Sequence, residues 1–401
     1  METTDIKEGD QSLAENLNNN LKIDEIQDNS ITEQNQQHIA DLNSHTEDEG
    51  DDDDEEDDEE DKQLQQENQL KQEKFEEINN TYGMTIIPDS NVDMLEADID
   101  LTNDIPLDTD TIDLVHLKVK SLKDLKLERF KNLKYIFLRD NLIESISDLK
   151  LIENKELIEE IDLYDNRINH ISKHVDEFKN IKTLDLSFNK IKNIKNIENL
   201  TELENLYFVQ NKISEIKNIE NLQKLINLEL GGNKIEIISE VMLKMKNLEQ
   251  LWLGKNKILE FQNLNNLSNL KILSIQSNKI KNLENLEGLV NLEELYVSHN
   301  KIEKLSGLDN LKNLTVLDVT GNFIEKLENL KHLKNLTDFW CSYNRIGEFN
   351  TIEEELKDLP ELDTVYFEGN PIQLKSPTNY RRKLRLCLGP SLKKIDALYL
   401  N

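Results

Sequence analysis

From about residue 110 onward the apolar positions fall into a single repeating frame, seen plainly in Leu225-x-x-Leu228-x-Leu230-x-x-Asn233-x-Ile235. The Asn of that frame returns at positions 141, 166, 189, 211, 233, 256, 278, 300, 322, 344 and 370, at separations of 25, 23, 22, 22, 23, 22, 22, 22, 22 and 26 residues. Within each unit the apolar residues first alternate, as in Leu228-x-Leu230, which predicts a short strand with one face buried. They then loosen into a stretch such as Ile302-x-x-Leu305, which returns to the next strand in a looser helical or extended form.

A fixed period of this length is the signature of a leucine-rich-repeat solenoid, an α/β fold in which successive strands stack in parallel about 4.8 Å apart into one long curved sheet. The two leucines of L-x-L point into the core and the residue between them points out. The inward Asn follows, at the turn where backbone groups lose their sheet partners. Its amide carries both an acceptor and donors, so stacked asparagines predict a ladder. A single unit exposes its leucines, so both ends need covers. At the front, Leu114–Leu125 reads as a degenerate unit with Leu117 at the Asn position, making twelve units. At the back, Asn370-Pro371 ends the ladder, and Tyr380 to Leu384 followed by Leu392-x-x-Ile395-Asp396 reads as a polar-faced cap with an apolar underside. Twelve strands predict a slab about 55 Å along the sheet, with small insertions in the longer spacings near each end.

Charge divides the chain. The first eighty residues hold 28 acidic and 5 basic side chains, so −23 of the net −32 sits there and −9 on the remaining 321. With few large apolar side chains and an acidic run from Glu47 to Asp61, this segment cannot offset the entropy of ordering it. The expected organisation is a disordered acidic tail over 1–92, a linker over 93–109, the solenoid over 110–370 and a C-terminal cap over 371–401. Residues 63–80 carry at most a transient helix. No apolar stretch follows a basic region at the N-terminus, no run approaches the ~18 residues of a membrane span, and two cysteines make no disulfide framework. A soluble intracellular protein is expected. The Asn-Leu-Ser/Thr triplets at Asn199, Asn266, Asn313 and Asn335 are by-products of the repeat.

The outward column carries the functional reading. Repeat by repeat it runs Phe137, Asp162, Asp185, Tyr207, Glu229, Trp252, Ser274, Tyr296, Asp318, Trp340, Tyr366. Six of these eleven are aromatic, in a chain with 22 aromatics among 401 residues, where chance would place fewer than one. Both tryptophans lie here, four positions are acidic, and none is Lys or Arg. Lateral propping of one strand by the next accounts for isolated rings, not for a file of rings interleaved with carboxylates. That composition predicts a binding surface for a folded protein with apolar knobs and basic side chains. The preceding column adds Glu160, Glu294 and Asp338; the following one is small at Gly231, Gly254 and Ser298, leaving room for close approach.

Several non-consensus stretches are more specific than the repeat: Leu-Tyr-Asp-Asn at 163–166, Leu-Gly-Lys-Asn-Lys-Ile at 253–258, Ser-His-Asn at 298–300, Phe-Trp at 339–340, Thr-Val-Tyr at 364–366 and Tyr-Arg-Arg-Lys at 380–383. With their order, they resemble the leucine-rich-repeat regulatory subunits of protein phosphatase 1, the regulatory subunit 7 family, over about 110–398. The resemblance implies a concave face that grips the phosphatase catalytic subunit, with contacts falling by position on Asp185, Tyr207, Glu229, Trp252, Asp318, Asp338, Trp340 and Tyr366. Phe137, Asp162 and Tyr296 are secondary candidates from the same column. The family has Phe where this chain has Tyr207 and Trp252, and Glu in place of Asp338, which touches affinity rather than partner class. It further implies control of the phosphatase's activity, maturation or localisation, complexes that include a second small inhibitor, a subunit monomeric by itself, and residence in nucleus and cytoplasm.

No nucleophile, phosphate-binding loop or metal constellation stands out, so no enzyme, cofactor or metal site is expected. His170 and His174 have i, i+4 spacing without a third ligand, and Cys341 takes an inward core position. The acidity argues against a nucleic-acid backbone as partner. The alternative reading is a structural scaffold of another complex, such as the spliceosomal leucine-rich-repeat type, which has far fewer repeats.

Overall fold

The computed structural model describes residues 101–400. The expected disordered tail over 1–92, its acidic run and the first part of the linker lie outside the described residues. Twelve three-residue strands follow one another in parallel: β1 (Thr111–Asp113), β2 (Tyr135–Phe137), β3 (Glu160–Asp162), β4 (Thr183–Asp185), β5 (Asn205–Tyr207), β6 (Asn227–Glu229), β7 (Gln250–Trp252), β8 (Ile272–Ser274), β9 (Glu294–Tyr296), β10 (Val316–Asp318), β11 (Asp338–Trp340) and β12 (Thr364–Tyr366). Two more strands were not foreseen. The cap supplies β13 (Lys394–Ile395), parallel to β12, and β14 (Leu398–Tyr399), antiparallel to β13, so the sheet has fourteen strands in strictly sequential order.

Register is fixed by the core. The middle residue of every strand from β2 to β12, from Ile136 through Leu228 and Leu251 to Val365, is at most 1% exposed, and each pairs with its counterpart in the next strand. A one-residue slip would turn that whole leucine row to water. The ladder is as expected. Asn233 Oδ1 accepts the Ile213 N–H of the preceding repeat at 3.0 Å, while its Nδ2 donates to Phe208 O at 2.8 Å and to Leu230 O at 3.0 Å. One buried side chain thus ties the turns of two repeats together. The chain reaches that position through a left-handed residue immediately before each ladder Asn, glycine at 232, 321 and 369 and a side-chain-bearing residue elsewhere, including Phe188 at φ 56° and Tyr343 at φ 54°.

Further asparagine rows run along the returning segments. Asn263 Nδ2 reaches Ile238 O at 2.7 Å, and Asn266 Nδ2 reaches Leu243 O at 2.9 Å. Asn313 and Asn335 bond the repeat before them in the same way, at 3.2 and 3.1 Å. This explains why Asn-Leu-Ser/Thr recurs at Asn266, Asn313 and Asn335, where the amide is needed by the preceding turn; the Asn199 amide bonds the Asp176 carboxylate instead, at 2.6 Å.

At the front, Leu117 has no amide to offer the ladder and is 41% exposed; Asn141 Oδ1 takes up the Leu117 and Val119 N–H groups instead, at 3.2 and 2.9 Å. Residues 101–109 lie against this first repeat: Thr102 is fully buried, its Oγ1 donates to Leu125 O at 3.0 Å, and Leu101 and Ile105 pack on the core. The longer spacings hold short helical turns at Ser147–Leu151 and Lys155–Leu157, and helix α1 (Phe349–Leu356) near the back. The cap adds α2 (Pro371–Leu374) and α3 (Tyr380–Leu388), the latter burying Tyr380, Leu384 and Leu388. After β13, Asp396 ties the cap to the last repeat, its Oδ1 accepting the Phe367 N–H at 3.0 Å and the Tyr380 hydroxyl at 3.2 Å. No helix among the described residues is long and apolar enough to cross a membrane.

The concave face as candidate functional site

The parallel register lays the third residues of successive strands side by side: Asp162 beside Asp185, then Tyr207, Glu229, Trp252, Ser274, Tyr296, Asp318, Trp340 and Tyr366. Asp338 and the other flanking acids, Glu160 and Glu294, occupy the first position of their strands. One expectation needs correction. The outward column is less exposed than its alternation predicts: Asp162, Ser274 and Asp318 are buried, at 6%, 1% and 8%, and the remaining members from Phe137 to Tyr366 are half-buried. The cause is lateral contact. Tyr296 and Trp340 sit two strands apart, yet their ring centroids are 6.2 Å from each other, so they lean together over Asp318 between them. Trp340 meets Tyr366 edge-on at 5.9 Å. Phe137 stacks along its own strand with Tyr135 at 6.5 Å.

The face has two halves. Toward the C-terminus lies an aromatic cluster of Tyr296, Trp340 and Tyr366, closed by Lys394 of β13, whose ammonium stands 5.3 Å from the Tyr366 ring. Tyr296 donates its hydroxyl proton to Glu294 Oε2 at 2.7 Å; burial, then this bond, pushes the phenol well above its ordinary range. Toward the N-terminus lies a carboxylate cluster. Asp162 is pushed up to about 6, first by burial and further by Asp185, although the Tyr164 N–H and Arg139, at 3.0 and 3.5 Å, oppose the rise. Glu160 and Glu229 are also raised, by burial first and then by Asp185. Burial and mutual repulsion both disfavour their charged forms, and a cation brought to them would favour those forms again.

The sequence reading missed a second role for the aspartates. Asp162, Asp185 and Asp318 each accept the N–H two residues ahead, that of Tyr164, Ser187 and Thr320, at 3.0, 2.8 and 2.9 Å. Asp at a strand exit closing an Asx turn was the available signal. One carboxylate oxygen therefore shapes the turn, leaving the other for an incoming group in Asp185 and Asp318, while in Asp162 it faces Arg139. Glu229 is longer and instead accepts from Asn227 Nδ2 at 3.4 Å, an amide that also meets the Tyr207 hydroxyl at 3.3 Å. The indole N–H groups of Trp252 and Trp340 and the Asn227 Oδ1 are buried without a hydrogen-bond partner. Elsewhere, His170 bonds Asn169 at 2.7 Å and His174 bonds Glu177 at 2.5 Å. Among the described residues no group of three His, Cys, Asp or Glu is placed to hold a metal. Cys341 is fully buried, and burial pushes its thiol well up.

This architecture has many relatives. The family model "Leucine Rich repeats (2 copies)" matches residues 268–310 and 290–332. The chain is 62% identical over 327 residues, 81% of its length, to protein phosphatase 1 regulatory subunit SDS22 of Saccharomyces cerevisiae, and covers 96% of that protein. The chain belongs to the SDS22 family. Among solved structures, an SDS22-family solenoid of this kind is similar to an internalin, InlF, of Listeria monocytogenes, at 20% identity and a TM-score of 0.63 over 76% of this chain and 89% of that one. It is also similar to a leucine-rich-repeat protein of Leptospira interrogans, at 27% identity and a TM-score of 0.55 over 66% and 73%. At these identities the likeness is one of fold, whereas the SDS22 relationship covers 81% of the chain at 62% identity.

Proposed function

We propose that this SDS22-family chain binds the catalytic subunit of protein phosphatase 1 with its concave face and regulates it without chemistry of its own. The observation that carries this reading is the register-aligned file of half-buried rings and desolvated carboxylates, on a chain so close to a protein named as a phosphatase 1 regulatory subunit. Trp252, Trp340, Tyr207 and Tyr366 supply apolar plates; Asp185, Glu229, Asp318 and Asp338 supply charge for basic side chains of the partner. Phe137, Asp162 and Tyr296 extend the same surface. An open sheet encloses little volume, so a folded partner suits it better than a small molecule.

The electrostatics give the binding a direction. Carboxylates held protonated more readily than usual release protons when a basic partner arrives, so affinity rises with pH through about 6, the value of Asp162. We place the complex in nucleus and cytoplasm, with a monomeric regulatory subunit and room for a small phosphatase inhibitor as a third component. The direct test titrates purified phosphatase 1 catalytic subunit against the chain and against Trp252→Ala/Trp340→Ala. Central aromatic truncations of this type cost about 2 kcal/mol or more each. Equal affinity for both proteins, with circular dichroism unchanged, would remove the surface assignment.

A further inference from the structure

The residue after each ladder Asn forms a second column, along the strand-exit rim. From the fourth repeat to the ninth it reads Lys190, Lys212, Lys234, Lys257, Lys279 and Lys301, with Arg167 before it and Arg345 beyond. Every one of these side chains is exposed. They keep a fixed spacing because each backbone N–H is bonded to the preceding repeat: Lys212 N to Ile191 O, Lys234 N to Ile213 O, Lys279 N to Ile258 O and Lys301 N to Ile280 O, all at 2.8 or 2.9 Å. The ladder Asn turns inward, so its neighbour turns outward.

What separates this row from an ordinary solvated face is the absence of internal counterions. Arg167, Lys257 and Arg345 pair with Glu144, Glu236 and Glu325 of the repeat before, at 4.0, 3.2 and 3.8 Å. The position those acids occupy is filled, in front of the other five lysines, by Asn169, Lys192, Ser214, Leu259 and Lys281. Among the described residues, Lys190, Lys212, Lys234, Lys279 and Lys301 therefore have no carboxylate within ion-pair reach, and two of the substitutes add further positive charge. A chain with a net charge of −32 keeps this line uncompensated.

We infer that the strand-exit rim is a docking track for an extended acidic peptide segment of a partner, separate from the concave face. The line of uncompensated charges, one per repeat about 4.8 Å apart with a single gap at the paired Lys257, runs some 24 Å from Lys190 to Lys301 and fits a stretched chain rather than a compact anion. An extended peptide advances about 3.4 Å per residue, so seven or eight residues rich in Asp and Glu cover the row, and the flexible lysine stems absorb the mismatch in step. A nucleic acid strand fits less well. It needs plates on which bases stack, and from Arg167 to Lys301 the column holds none, while Glu236 and Glu303 flank the row.

The test is fluorescence anisotropy with the full chain at low salt, using a labelled twelve-residue polyglutamate and a labelled twelve-nucleotide oligothymidylate. Saturable binding of polyglutamate is expected, weakening steeply with added salt, and at least tenfold tighter than the oligonucleotide. Lys212→Gln/Lys234→Gln/Lys279→Gln should lower peptide affinity at least tenfold. Lys131→Gln/Lys179→Gln/Lys224→Gln, which removes three lysines already paired with Glu153, Asp176 and Glu202, should change it less than twofold. Trp252→Ala/Trp340→Ala should leave peptide binding intact, which separates this track from the concave face. Absence of peptide binding, equal loss in both triple-lysine variants, or tighter binding of the oligonucleotide would each overturn the proposal.

Discussion

Replacing Asp162 with Asn should stabilise the fold at neutral pH and leave it almost unchanged in acid. Asp162 is 6% exposed, beside the charged Asp185 on β4, and its carboxyl is pushed from 3.8 to about 6. The folded chain thus holds this proton more tightly than the unfolded one. The associated stability is fully present below about 3.8, declines as pH rises, and is gone once pH has passed 6. The full difference corresponds to about 3 kcal/mol. Asn keeps the oxygen that accepts the Tyr164 N–H and removes the charge, but forfeits the attraction of Arg139. A net gain of about 1–2 kcal/mol above pH 7 is reasonable, against nearly none at pH 4. Thermal and urea unfolding of both proteins at pH 4, 5, 6, 7 and 8 would measure it. The difference between the two curves is decisive, because titrating groups remote from Asp162 cancel and only its coupled neighbours Asp185 and Glu160 add to it. A difference that does not vary with pH, or a variant less stable at pH 8, would refute the account of Asp162. The same variant should bind the phosphatase more weakly at pH 7.5, since the charge that costs stability is the one a basic partner neutralises.

Other outcomes follow from the same geometry. Asn256→Ala strands the buried Ile235 N–H, while the Leu230 carbonyl keeps its bond from Asn233, and should cost about 1–3 kcal/mol, read by urea unfolding; no measurable cost would mean water replaces the ladder. Asp185→Lys should weaken phosphatase binding and flatten its dependence on salt between 50 and 300 mM; an unchanged salt slope would deny the carboxylates a part in it. Deleting residues 1–85 should leave phosphatase affinity within about threefold of the full chain by calorimetric titration, as expected if the solenoid holds the whole interface. Tyr296→Phe removes the hydroxyl that holds Glu294 while keeping the ring that covers Asp318, and should change affinity less than Trp340→Ala does.

What could be read from the sequence was what the period dictates. The leucine rows, the Asn ladder, the parallel register and the membership of the outward column all follow from a side-chain alternation of two within a repeat of 22. The misreadings arose where side chains interact across repeats, which a one-dimensional pattern does not hold. Exposure in the column was overestimated because alternation tells which way Tyr296 and Trp340 leave the backbone, not that they lean together over Asp318. The turn-closing role of Asp162, Asp185 and Asp318 is not legible in the pattern because an outward carboxylate has the same place in it whether it bonds its own turn or faces solvent. Strands β13 and β14 escaped because Lys394–Ile395 and Leu398–Tyr399 are too short to show a period and form only on the edge that β12 offers. That edge also brings Lys394 over Tyr366, ending an otherwise acidic and aromatic file with a positive charge. A partner entering the hollow therefore meets carboxylates along most of the sheet and a cation at its C-terminal edge, so its basic side chains must give way to a neutral or acidic patch at that edge. Reversing Lys394→Glu should then weaken docking of the true orientation, rather than strengthen it as a uniformly basic partner would require.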